Sequence, residues 1–427
     1  MAGTSAAGML AGCGGDSGNV TETTVKTNTP IPWQLPDCET GLVEPTSSEG
    51  SFQLFHGRQP GGTRLLQGTG TLFNQDSNYP TVNLQKGPSD GYLNQLRTSI
   101  PAGEGPHIFQ WAHDVAGDFV QSDFLTDQSS ELRVEECLFT DKAWDAVRYD
   151  GQTIGLPFAA ECPALIYNQD ILDDLGYEPP ESFDEWTTIM DEYHNPQNGQ
   201  FGLSHPLNAY FSSWAAQAYG ADIYNEEEDA LGITEDDFIK GLNIILEDLK
   251  PYMPGDPSEQ AQMSRFQNGE SPFLVNGPWA IAGLQDQGLN IGATSIPAPD
   301  DAEASRPYSG IQMWFFSKKM RNGGSSTRAA REFSEWYCTN VERILNLANN
   351  SSYIPAIDGL ERSRLSDTVR GFADQFDTGY LMPQNPKMNS VWTPYETNML
   401  SAFNNGSDPL PLMETAAEEI RNSWNSN

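Results

Sequence analysis

From residue 52 onward the chain alternates short apolar runs with segments of helical period, and this alternation constrains the fold more than any other feature. Phe52 to His56, Ile108 to Trp111, Ala164 to Tyr167, Phe273 to Val275 and Met313 to Ser317 have the length and content of strands. Between them, Phe238, Leu242, Ile245, Leu246 and Leu249 recur at spacings that line one helix face. Ser182, with Glu185 three residues on, starts a helix ahead of Trp186 and Met190. Asn268-Gly269 closes a helix that begins near Ser258. Strands alternating with helices predict α/β layers with largely parallel sheets, and ligands in such layers bind beyond the carboxyl ends of the strands. A single core seldom grows past about 250–300 residues, so a chain of 427 residues calls for two lobes.

Charge narrows the function. Fifty-nine acids against 23 bases give a net charge of −36. A nucleic-acid binder needs a basic face to meet phosphates, so that class is excluded. The acids are dispersed, which keeps a surface soluble at the cost of self-repulsion. Molar salt screens that repulsion, because the Debye length falls to about 3 Å. A halophilic protein adapted to very salty surroundings is therefore expected. The acid run Glu226 to Asp229 lacks a calcium-loop pattern and reads as a solvated face.

Five cysteines are present: Cys13, Cys38, Cys137, Cys162 and Cys338. None has metal-ligand spacing, so no metal is expected. The last four could form two disulfides in any of three connectivities, or could be buried small hydrophobes. No P-loop, dinucleotide fingerprint or Ser-His-Asp order occurs, and no cofactor is expected.

Leu10-Ala11-Gly12-Cys13 has the form of a lipobox, with Cys13 as the lipidated first residue of the mature chain. The stretch before it has no basic region and only a short apolar run, so residues 1–13 read as part of a longer signal peptide. Residues 14–50 are rich in Gly, Ser, Thr, Asn, Pro and acids, and are expected to form a flexible tether. One lipid chain anchors only marginally, so more than one is expected. No run of about 18 apolar residues occurs elsewhere. Asn19, Asn349, Asn350 and Asn405 open Asn-x-Ser/Thr triplets of the kind that arise by chance.

Several aromatics stand directly after the strands. Trp111-Ala112-His113-Asp114 follows one, and Asn276-Gly277-Pro278-Trp279 follows another, where Gly-Pro makes a sharp exit that can present an indole. Asn208-Ala209-Tyr210-Phe211 and Ser390-Val391-Trp392 offer more rings. A lone Trp is usually core. Four rings beside turns suit a pyranose, whose apolar face stacks on aromatics while its hydroxyls seek carboxylates.

These residues carry a resemblance. Gly105-Pro106-His107-Ile108 leading into Trp111 to Asp114 is similar to the maltose/maltodextrin-binding protein family. So are Trp144 to Tyr149 with Gly151, Leu156-Pro157 through Glu161, Leu165 to Asp170, Asn276 to Trp279, and Met382-Pro383 with Pro386, Met388 and Trp392. The matches keep the family's order from about residue 52 to the C-terminus. The resemblance implies a two-lobed, periplasmic-binding-protein-like α/β fold of type II. Its discontinuous lobes would be 51–161 plus 310–365 and 162–309 plus 366–427, joined by three crossings near Glu161, Ser309-Gly310 and Leu365 around a ligand cleft. It further implies a monomeric, non-enzymatic substrate-binding protein of an ABC importer, lipid-anchored to the outer face of a membrane. Such a protein passes malto-oligosaccharides to permease subunits.

By motif, Trp111 and Asp114 resemble the family's aromatic and carboxylate of the first lobe, and Glu161 its carboxylate near the hinge. Tyr210, Trp279 and Trp392 resemble the stacking platforms, with Phe211 supporting Tyr210. The chain departs from the family at Arg58-Gln59 (usually Asp-Lys), Val115 (Arg), Asn208 (Glu) and Glu396 (a base). Arg58 or His56 is expected to replace some of these contacts, Asn208 remains a ligand candidate, and His113 is expected to be structural. Another solute (trehalose, a cyclodextrin, a glycerol phosphodiester) is the alternative. A glycoside hydrolase using Asp114 and Glu161 does not account for the lipobox and tether. A coat protein does not account for the absence of repeats.

Overall fold

The computed structural model describes residues 38, 41–88, 91–360 and 362–426. Cys13, the lipobox and most of the assigned tether lie outside them. Two sheets organise the chain. The larger is built from β1 (Ser51–His56), β2 (Thr81–Lys86), β3 (Ile108–Ala112) and β4 (Gly155–Glu161). The smaller holds β5 (Ala164–Asn168), β6 (Phe273–Asn276) and β7 (Ile291–Thr294). The chain then returns to the larger sheet as β8 (Tyr308–Phe316), β9 (Ile354–Pro355) and β10 (Tyr380–Leu381). The larger sheet runs β9-β4-β8-β3-β1-β2, with β10 beside the start of β8.

The sheets are less parallel than the alternation predicts. β1 pairs in parallel with β2 and β3, as βαβ units require. β8, however, is antiparallel to both β3 and β4, and the smaller sheet is antiparallel throughout. The cause is connectivity. β4 leaves the larger sheet for the smaller one and β8 returns from it, so β8 enters at the edge where β3 and β4 end and runs back against both.

Each element has a local cause. All nine residues of β8 are buried, as a strand covered on both faces must be. The Gly324–Thr339 helix packs on β1 and β4, and Phe333 and Trp336 fill the space with Phe73, Phe52 and Trp314. A second core gathers Trp186, Trp214, Phe238, Phe273, Tyr308 and Tyr395. Asn168, Ser182 and Ser258 cap helix starts by accepting backbone N–H bonds. The helix predicted from Phe238 is α-helical over Asp236–Asn243 and widens to a π-turn over Ile244–Leu249.

Residues 41–50, assigned to the tether by composition, are fastened to the larger-sheet lobe. Val43 is buried and its N–H donates to Thr339 Oγ1 at 3.0 Å. Arg133 Nη1 donates to the Glu44 carbonyl at 2.9 Å, and Thr46 bonds Glu332. Cys38 is disulfide-bonded to Cys137, whereas Cys162 and Cys338 are buried free thiols. Composition missed this fastening because it depends on partners about 90 to 300 residues away.

Candidate functional site

The registers bring one edge of each sheet together. The carboxyl ends of β1, β3 and β4 and the start of β8 share an edge, because Ala112 pairs with Gln312 and Glu161 with Gly310. That edge carries Arg58, Asp114 and Glu161. In the smaller sheet the end of β6, the start of β5 and the end of β7 coincide, since Asn276 pairs with Ala164 and Thr294 with Leu165. Ser204 bridges to Leu274 on β6, which draws the 204–211 segment to the same edge.

On the smaller-sheet side, Tyr210, Phe211 and Trp279 form one aromatic cluster. Tyr210 lies 5.6 Å from Phe211 and 6.2 Å from Trp279 between ring centres, and Phe211 lies 6.3 Å from Trp279. Phe211 is buried beneath, whereas Tyr210 and Trp279 are half-buried. Trp279 sits in the Pro278–Ala280 turn directly after β6, and its ring folds back over Gly277. The Asn208 side chain accepts the Phe211 N–H at 2.8 Å, which shapes this loop and leaves Nδ2 as the group able to reach a ligand. Glu396 accepts weakly from Ala209 N–H at 3.4 Å. The acid that stands where the family has a base therefore braces the Tyr210 loop.

Across from the cluster, Trp111 packs 5.7 Å from Tyr92. Trp111 and Trp279 each touch both hydrophobic cores, so the two indoles span the junction. The sides also meet at Gly61, where a Cβ would lie 2.6 Å from the Ala282 Cβ, and through the Arg64–Asp286 ion pair. Trp392 stands apart from the Tyr210 cluster; its ring neighbour is Tyr308, edge-on at 5.6 Å.

The carboxylates occupy a dry setting. Burial, the largest cause, pushes Asp114 up to about 7, opposed by the Arg97 charge. Burial also pushes Glu161 up to about 7, and the Asp114 charge adds to it, while Gln312, Tyr353 and Arg58 pull it down. Tyr210 feels both acids, so these groups share one electrostatic neighbourhood. Asp114 Oδ1, Glu161 Oε2 and the Tyr210 hydroxyl are buried with no protein hydrogen-bond partner. The Tyr353 phenol influences Glu161 but makes no bond of proper geometry to Oε2. Buried polar atoms left open are costly, and three converging on one neighbourhood mark a place for hydroxyl groups.

Arg58 is buried, with its guanidinium 4.9 Å from the Phe158 ring centre and 5.4 Å from that of Trp314. Its Nη atoms reach the Tyr337 hydroxyl at 3.4 Å. His56 is buried beside it and lowered to about 4, mainly by burial. His113 binds the Met382 carbonyl through Nε2 at 2.9 Å and accepts the Ile311 N–H at Nδ1 at 3.1 Å. Both ring nitrogens are therefore committed to joining chain segments. Motif reading did not find Gln110, Gln312, Tyr353 or Tyr92 at this edge. Their only sequence signal is a polar residue inside an otherwise apolar strand, as at Gln110 and Gln312. Among the described residues no His, Cys, Asp and Glu group could hold a metal ion, and no helix is long and apolar enough to cross a membrane. A surface recess of about 380 Å³ lined by Thr294, Ile296, Gln375 and Thr378 contains none of the aromatic or charged side chains described above.

Comparison with known proteins gives the family and the fold. Residues 71–370 match the model of the family described as bacterial extracellular solute-binding protein. A maltotriose-binding protein of Pyrococcus abyssi is 33% identical over 357 residues, which is 82% of this chain and 76% of the relative. A galactooligosaccharide-binding protein of Bacillus subtilis is 23% identical over 355 residues, covering 80% and 82%. Among solved structures, the Thermus thermophilus maltotriose-binding protein bound with maltotriose superposes with a TM-score of 0.77 at 21% identity, covering 87% of this chain and all of that one. The fold is thus the two-lobed one of maltodextrin-binding proteins, and the chain belongs to the bacterial extracellular solute-binding protein family.

Proposed function

We propose that this protein captures malto-oligosaccharides outside the cytoplasm and hands them to the permease of an ABC importer. The observation that carries the reading is the pairing of an aromatic cluster on one lobe (Tyr210, Phe211, Trp279) with two carboxylates on the other that each keep a buried, unpartnered oxygen (Asp114 Oδ1, Glu161 Oε2). Rings take the apolar faces of glucose units while the carboxylates accept hydroxyl protons. Trp111, beside Tyr92, and Trp392, beside Tyr308, offer further rings apart from this cluster, and Arg58 and Asn208 supply donors. The relative from Pyrococcus abyssi supports the choice of sugar.

The lobes of this reading are 51–161 plus 310–365 and 162–309 plus 366–427, and they close on the sugar about the three crossings. The carboxylates act as acceptors, not as an acid–base pair, and the sugar leaves unaltered. The protein works as a monomer, held to the membrane by lipid on Cys13; Cys13→Ser should move it to the soluble fraction. The relative that binds galactooligosaccharides favours a second reading, a different oligosaccharide. Calorimetry at high salt with maltose, maltotriose, a cyclodextrin, trehalose and a galactooligosaccharide decides. Maltotriose should bind tightest and Trp392→Ala should weaken it. Binding of the galactoside alone, or of no sugar, refutes the proposal.

A further inference from the structure

Two buried polar side chains behind Glu161, those of Gln110 and Gln312, are connected to it. The Gly57 N–H donates to Gln110 Oε1 at 3.3 Å, Gln110 Nε2 donates to Gln312 Oε1, and Gln312 Nε2 donates to Glu161 Oε1 at 2.6 Å. All three side chains are buried. The direction of the relay is forced from the Gly57 end, because a backbone N–H can only donate, so Gln110 meets it with Oε1 and is left with Nε2 for Gln312. Each amide must therefore turn its oxygen toward Gly57 and its nitrogen toward Glu161. The strands agree. Gln110 is on β3, Gln312 on β8 and Glu161 on β4, and β8 lies between the other two. The β8–β4 register shifts between Gln312 and Met313, the kind of irregularity that re-aims a side chain beside a site. Opposite Glu161 stands Gly310, where a Cβ would come within 3.2 Å of Glu161 Cγ and Oε1. The strand pair thus leaves the carboxyl room to meet Gln312.

We propose that Gln312, backed by Gln110, is a positioning residue: it holds Glu161 by Oε1 so that Oε2 is the oxygen offered to the ligand. This rests on the sugar-binding reading for its purpose, but not for its geometry. Glu161 feels Asp114, Arg58, Tyr353 and Gln312, while it raises both Tyr210 and Cys162. Of these, Gln312 is the one holding Oε1 by a donated bond. A bond donated to the ionised form favours that form, so loss of the donor should make Glu161 harder to ionise.

The test uses the full chain with Gln312→Met, which keeps volume and removes the donor, and Gln312→Glu. Glu161 is titrated by carboxyl carbon NMR without sugar, with Glu161→Gln identifying its signal, and maltotriose affinity is measured by calorimetry. In Gln312→Met the Glu161 midpoint should rise and affinity should fall about tenfold or more, at a melting temperature near wild type. Gln312→Glu should bind poorly at pH 8 and recover near pH 5, where a shared proton restores the donated bond. A residue that only fills space would leave Glu161's titration untouched in Gln312→Met and would give no recovery on acidification. Those results overturn the proposal. If Gln312→Met does not fold, Gln110→Met and Gln312→Glu carry the same comparison. If wild type binds no maltotriose, the functional reading fails while the sugar-free titration still decides the relay.

Discussion

Replacing Gly277 with Ala should remove the Trp279 platform without touching the backbone. Gly277 sits at φ −94° and ψ 175°, a conformation open to any residue, so Ala adds no strain there. Its Cβ, however, would stand 2.2 Å from Cη2 and Cζ3 of Trp279 and 2.6 Å from Cε3. The atoms in the way are the far end of a side chain, so the indole swings aside. The backbone bonds stay: Gly277 N–H to Asn276 Oδ1 at 2.8 Å, and Ala280 N–H to the Gly277 carbonyl at 3.1 Å. The cost to folding should be about 1–2 kcal/mol, at the low end for a misfitted methyl.

Binding should suffer more. Roughly 100 Å² of ring lost from a sugar face removes about 2.5 kcal/mol at about 25 cal/mol per Å². The stacking term adds about 0.5–1.5 kcal/mol. Together they predict a loss of a hundredfold or more in maltotriose affinity. Calorimetry paired with thermal melting at one salt concentration measures both, and near-UV circular dichroism reports the displaced indole. A folded Gly277→Ala protein with a displaced indole and wild-type affinity would refute the platform role of Trp279.

Asp114 and Glu161 are both pushed up to about 7, mainly by burial. As pH falls from 7 toward 4 the folded state therefore takes up protons that the unfolded chain does not, and these groups add stability, at up to about 1.4 kcal/mol per pH unit each. The buried His56, His113 and His205, lowered to about 4, act oppositely below about 6.5. Glu161→Gln should accordingly be more stable than wild type at pH 8 and lose that advantage by pH 5; an equal gap at both values in denaturant titration would contradict the burial argument. On the proposal that the lobes close on the sugar, Gly61→Leu should prop them apart at Ala282, raising the radius of gyration in X-ray scattering and weakening sugar affinity several-fold. Stability in urea should climb from low to molar NaCl as the −36 charge is screened, and a flat dependence would remove the case for adaptation to salt.

The sequence by itself determined the class of fold and the residues worth watching. Apolar period, helix caps and chain length specify α/β lobes, because these signals are local and each element carries its own. The motifs after the strands named Trp111, Asp114, Glu161, Tyr210 and Trp279, because a loop leaving a strand end is where a buried scaffold presents side chains. Tertiary structure alone decided how these residues are held. The antiparallel placement of β8 comes from chain crossings, which leave no periodic trace. Composition read residues 41–50 as free chain, yet Thr339, Glu332 and Arg133 hold them. Asn208 and Glu396 looked like lost contacts, and pairing across 187 residues shows Glu396 bracing the Tyr210 loop. Gln110 and Gln312 are ordinary in sequence, and their role arises only when β3, β8 and β4 lie side by side. A hydrogen-bond relay between strands depends on register, and register is set by the packing of the whole sheet, not by any segment of it.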